Sequence, residues 1–136
     1  MTNASMTPAN IKSAATRGKS DVIRMCFAAY KSKDRKVVED LLTDDFRFTS
    51  PYDDEIDRAT YFERCWPNSE RFRDVAVERI VEQGDGAYTT YKVLTNDGRE
   101  FRNTEFMTFD GGRISHVDVY FGASYKDGVF VKEKAG

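Results

Sequence analysis

Three turn triplets, Gly84-Asp85-Gly86, Asn96-Asp97-Gly98 and Asp110-Gly111-Gly112, cut the second half of the chain into four runs of similar length. Gly, Asn and Asp tolerate the positive φ that tight hairpin turns impose. The runs they separate, 72–83, 87–95, 99–109 and 113–122, are rich in β-branched and aromatic residues. This pattern predicts an antiparallel meander.

The first half repeats with a helical period instead. Val22, Ile23, Cys26, Phe27 and Tyr30 recur as one stripe, with Ser20 as the expected cap, Asp21 in the positive first turn and Lys31 and Lys33 near the negative end. Asp34 is placed to cap a second helix with Val37, Val38, Leu41 and Leu42 inward, closed by Thr43-Asp44-Asp45. A short strand over 46–50 stops at Pro51, and the acidic stretch 52–55 reads as a solvated turn without calcium-loop spacing. Asp57 is positioned to cap a third helix carrying Phe62, Cys65 and Trp66, which Pro67 ends. Helices first and strands afterwards predict an α+β domain over 20–122, a curved antiparallel sheet packed on three N-terminal helices. Residues 1–19 and 123–136 are polar and read as tails, the second with the option of a short edge extension.

Composition excludes several partners. With 21 Lys and Arg against 23 Asp and Glu, interspersed, the chain has no basic stripe for nucleic acid. No apolar run is long enough for a membrane span, and 1–19 lacks the core of a signal peptide. Cys26 and Cys65 sit in helical stripes without CxxC or Cys/His spacing, so free thiols and a cytoplasmic setting are expected. No clustered metal ligands and no glycine-rich phosphate loop point to a metal or organic cofactor.

A curved sheet folded over helices encloses a cone-shaped cavity, and one residue draws attention to it. Glu105 stands among Phe101, Phe106, Met107 and Phe109. Facing the cavity, it would lose solvation, gain a raised pKa and serve as a neutral donor or poised acid or base. Facing the other side, it would pair with Arg102 or Arg113. His116 and Asp118 have the residue types of a base and its orienter. Alternation argues otherwise, because Val117, Val119 and Phe121 form the apolar face and put His116, Asp118 and Tyr120 outside.

Asp34, the runs 46–51 and 57–66, and the terminal VDVYFG together resemble the nuclear transport factor 2-like superfamily of α+β cones, a cystatin-like roll, over 20–122. Within it the chain is similar to SnoaL-like proteins, and the spacing from FAAYKSKD (27–34) to Pro51 is similar to that of the ketosteroid isomerases. That resemblance lays the isomerase general base on Ser50, the oxyanion-binding tyrosine on Cys26 and the protonated carboxylic acid on Glu105. Only Glu105 keeps the required chemistry, since serine holds no proton near neutral pH and a thiol is a poor donor. The catalytic aspartate of related epoxide hydrolases falls on Val119, which also lacks an acid. The resemblance further implies a homodimer through the outer sheet face.

Two functions follow as expectations. One is a pocket for a small organic ligand, lined by Cys26, Ser50, Trp66, Asn103 and Glu105 and walled by Met107, Val117, Val119 and Phe121. In this reading Glu105 exchanges a proton with a substrate oxygen, as an isomerase, cyclase or lyase would. The other is a non-catalytic ligand-binding or dimerising domain.

Overall fold

The computed structural model describes residues 18–132. The tail expected over 1–19 lies outside the described residues as far as residue 17. Helix α1 (Lys19–Ser32) buries Val22, Ile23, Cys26 and Phe27, with Tyr30 half-buried beside them. Ser20 is not its cap. Gly18 holds that position, and Ser20, inside the first turn, donates from Oγ to Glu82 Oε2 at 2.9 Å. Lys33 closes the helix in the left-handed region (φ 63), and after this reversal Asp34 caps α2 (Arg35–Leu41) by accepting from the Val37 amide at 3.3 Å.

Two hairpin strands follow, β1 (Leu42–Ser50) and β2 (Asp53–Asp57), then α3 (Arg58–Arg64) and a 3-10 helix (Trp66–Arg71). The remaining strands are β3 (Phe72–Gln83), β4 (Gly86–Thr95), β5 (Arg99–Asp110), β6 (Arg113–Lys126) and β7 (Val129–Val131). Asp57 accepts from the Thr60 amide at 2.9 Å and caps α3, and Pro67 starts the 3-10 helix, where a missing N–H costs nothing.

Across the sheet the order is β2-β1-β6-β5-β4-β3, with β7 pairing β6. The meander is antiparallel as its turns dictate, but β1 joins β6 in parallel, so the whole sheet is mixed. That pairing also explains why Leu42, expected in the stripe of the second helix, leaves it for β1. Leu42 lies opposite Ile114, and Arg113 Nη2 donates to the Leu42 carbonyl at 2.5 Å. Long-range pairing here outweighs local helical period. Of the stretch 52–55, expected to be a solvated turn, Tyr52 stays in the turn and the three acids from Asp53 on enter β2 by pairing with β1.

Register shifts between Val77 and Arg79 against β4, and between Phe101 and Asn103 and between Thr108 and Phe109 against β6, bend the sheet without closing it. The C-terminal tail expected from 123 starts later. β1 pairs β6 only as far as Asp118, and β7 covers the edge this leaves, on Ser124, Tyr125 and Lys126. Ile23, Leu41, Leu42, Phe46, Met107 and Ile114 are fully buried where helices and sheet meet. No helix among the described residues is long and apolar enough to cross a membrane.

Candidate functional site

The concave sheet face and the helices do not fill the space between them. They enclose a cavity of about 730 Å³, within the range of pockets that hold drug-sized molecules. Of the expected pocket residues, Cys26, Ser50, Asn103, Glu105, Met107, Val117, Val119 and Phe121 line it. Phe121 stands at the rim, 48% exposed, with its ring 5.5 Å from that of Tyr52. Trp66 does not line the cavity. It is core, packed edge-on against Tyr30 at 4.8 Å and against Phe62 at 6.5 Å.

Glu105 faces inward. Arg102 is engaged with Glu78 at 2.8 Å, and Arg113 with the Leu42 carbonyl and Asp44, so neither competes for it. Its diagonal neighbour on β4, Tyr91, donates from Oη to Glu105 Oε2 at 2.6 Å. Asn103 Nδ2 donates to Tyr91 Oη at 3.2 Å, and Asn103 Oδ1 accepts from the Gly122 amide at 3.3 Å. The amide of Gly122 can only donate, so it fixes the Asn103 side chain and thereby directs the Tyr91 hydroxyl proton to Glu105. Burial raises the Glu105 carboxyl to about 7, against the downward pull of the Tyr91 bond. The surface Glu105 retains faces the cavity, and Tyr91 occupies only Oε2.

Helix α1 supplies Cys26, Phe27 and Tyr30 to the opposite wall. Burial, and then Glu105, pushes the Cys26 thiol up to about 12, which removes it as a nucleophile at neutral pH. Tyr30 is held far into its neutral form, by burial first, and its hydroxyl makes no hydrogen bond among the described residues.

Sequence reasoning missed a second carboxyl group in the cavity, Asp53. Its Oδ1 lies 2.7 Å from Arg64 Nη2, and Oδ2 accepts from Ser50 Oγ at 3.3 Å and Cys65 Sγ at 3.8 Å. Burial, and then Asp53, pushes the Cys65 thiol up to about 12. A signal for Asp53 was present. Phe46, Phe48 and Ser50 alternate inward, and a two-residue reversal at Pro51-Tyr52 puts Asp53 opposite Ser50, on the same face. His116 and Asp118 stay off the cavity wall, with Nδ1 and Oδ2 3.8 Å apart. Among the described residues no three His, Cys, Asp or Glu side chains converge as metal ligands.

Solved structures share this architecture at low identity. An NTF2-like protein of unknown function from Cytophaga hutchinsonii superposes with a TM-score of 0.64 at 17% identity, over 76% of this chain and 89% of that one. A candidate ketosteroid isomerase from Kribbella flavida gives 0.64 at 19% identity, over 78% of each chain. A candidate SnoaL-like polyketide cyclase from Jannaschia sp. CCS1 gives 0.63 at 16%, over 76% of this chain and 84% of that one. None of the curated proteins matches this chain closely enough to carry a comparison. Residues 23–117, most of the chain, match the SnoaL-like domain, and with the cone-like sheet and its inward acid the chain belongs to the SnoaL-like domain family.

Proposed function

We propose that the cavity takes a small, mostly apolar organic molecule and that Glu105 exchanges a proton with one of its oxygens, the chemistry of an isomerase, cyclase or lyase. The observation that carries this is a carboxyl group at about 7, in an apolar cavity, held by Tyr91 with one oxygen open to a guest. Such a group is half neutral near pH 7 and can donate, then accept. The names of the isomerase and cyclase neighbours support the same class. A non-catalytic binding domain is the second reading, and a carboxyl poised near neutral pH favours the first.

The test uses 6-methoxy-2-acetonaphthone, a fluorescent ketone. If only neutral Glu105 donates to the carbonyl, affinity falls about tenfold from pH 6 to pH 8, and Glu105→Gln removes that dependence. Wild-type binding that ignores pH, or a dependence that survives in the variant, overturns the proposal.

The expected homodimer belongs to this reading too. Val81, Tyr88 and Phe106 are register partners in one row on the outer face, and Val81 and Tyr88 are exposed. Light scattering is expected to give twice the 15.6 kDa chain mass, and a monomer mass refutes it. Free Cys26 and Cys65 support a reducing, cytoplasmic setting, for which recovery in the cytosolic fraction is the check.

A further inference from the structure

The Asp53 cluster is not used by the chemistry proposed for Glu105. Asp53 has only 9% of its side chain exposed, and a carboxylate so placed is costly to bury unless its partners are good. Oδ1 is fully buried and lies 2.7 Å from Arg64 Nη2 as an ion pair without accepting a hydrogen bond, and Oδ2 accepts only from a hydroxyl at 3.3 Å and a thiol at 3.8 Å, both long. Ser50 Oγ itself accepts from the Tyr52 amide at 3.1 Å, which steadies the hairpin that carries Asp53. The cavity therefore has on its wall a mostly buried carboxylate whose hydrogen bonds are weak.

Sheet register sets the distance to Glu105. Glu105 lies opposite Val119 on β6, Asp118 lies beside Thr49 on β1, and Ser50 pairs with Asp53 on β2. From β5 to β1 is two strand spacings, about 10 Å, and β2 is one further, with curvature shortening the span. Tyr30 lies between, close enough to both Glu105 and Cys65 for each to affect its ionisation.

Resting on the reading that Glu105 holds a ligand oxygen, we infer that Asp53 is a second ligand contact, which accepts a hydrogen bond from a hydroxyl or amino group at the far end of the same molecule. The ligand class is then a molecule with a carbonyl at one end and a hydrogen-bond donor at the other. Asp53 is a specificity-determining acceptor, and Arg64, itself half exposed, offsets its charge.

Two probes that differ only at the donor test this, 6-hydroxy-2-acetonaphthone and 6-methoxy-2-acetonaphthone, titrated by fluorescence into the full-length protein at pH 6. Wild type is expected to prefer the hydroxyl compound about tenfold, and Asp53→Asn to reduce that preference to about twofold or less, because a charge-assisted bond becomes a neutral one. Arg64→Gln, a change at a half-exposed residue, leaves the carboxylate without its cation and is expected to increase the preference. If Asp53→Asn does not fold, that variant decides. Equal weakening of both probes by Asp53→Asn is what a staple between β2 and α3 would give, and it overturns the subsite. An unchanged preference in Arg64→Gln does the same, and so does failure of both probes to bind. Failure of the Glu105 reading shows separately, in the pH dependence of the methoxy probe, whereas the hydroxyl preference is read at one pH.

Discussion

Glu105→Gln is expected to stabilise the folded protein increasingly as pH rises. The folded carboxyl sits at about 7 and the unfolded one at 4.5, so between these values the folded state holds a proton that the unfolded state has released. Stability must then fall as pH rises through this window, since the unfolded chain binds fewer protons. At 1.36 kcal/mol per pH unit the full effect is about 3 kcal/mol, most of it between pH 5 and pH 8. Glutamine keeps an acceptor for the Tyr91 hydroxyl and has nothing to titrate. Urea denaturation of both proteins at pH 5, 6, 7 and 8, followed by Trp66 fluorescence, isolates the term because every other titrating group is common to the pair. The stability difference, variant minus wild type, is expected to grow by about 2 to 3 kcal/mol from pH 5 to pH 8. Parallel stability profiles would mean that Glu105 is solvated, and the argument for a poised acid would fail with it.

Gly122→Ala tests the support of that acid. A Cβ there would run into the Arg102 carbonyl oxygen, a backbone contact that cannot give way cheaply. Displacing the strand costs about 1 to 3 kcal/mol, and it loosens the Gly122–Asn103–Tyr91 chain that lowers the Glu105 pKa. The pH midpoint of methoxy-probe binding is therefore expected to move up, and an unmoved midpoint in a destabilised protein refutes the positioning role. Trp66→Phe separates core from pocket. It is expected to lower stability by about 1 to 2 kcal/mol with methoxy-probe affinity unchanged, and a loss of affinity without loss of stability would return Trp66 to the site.

Residues differed in how much they disclosed. The meander was legible because each turn carries its own chemistry, and Glu105 was legible because an acid among aromatics has few explanations. β2 was not legible, because 52–55 offers no apolar alternation and its strand character comes from pairing with β1. Asp53 went unread with it, since an acid in an acidic stretch looks like surface, although the inward alternation of Phe46, Phe48 and Ser50 and the reversal at Pro51-Tyr52 pointed to it. Trp66 misled in the opposite sense. Its size and apolarity suit a pocket wall equally well, and only the positions of Tyr30 and Phe62 decide that it packs as core.

The cavity itself could not be read from periodicity, and α1 shows why. Val22, Ile23, Cys26, Phe27 and Tyr30 form one continuous stripe, and period alone says that all of them point inward. Val22 and Ile23 are fully buried, whereas Cys26, Phe27 and Tyr30, one turn later, face open space. The turn that carries Cys26, Phe27 and Tyr30 faces the cavity left by the curved sheet. β5 and β6 slip register at Phe101–Asn103, and the bend this produces brings Gly122 against the Arg102 carbonyl. The same slip seats the Gly122 amide on Asn103, the first link of the chain that ends at Glu105. One distortion of the sheet therefore accompanies both the curvature of the cavity wall and the aim of its acid. A substitution that relaxes the bulge is expected to disturb the pocket and the proton donor together.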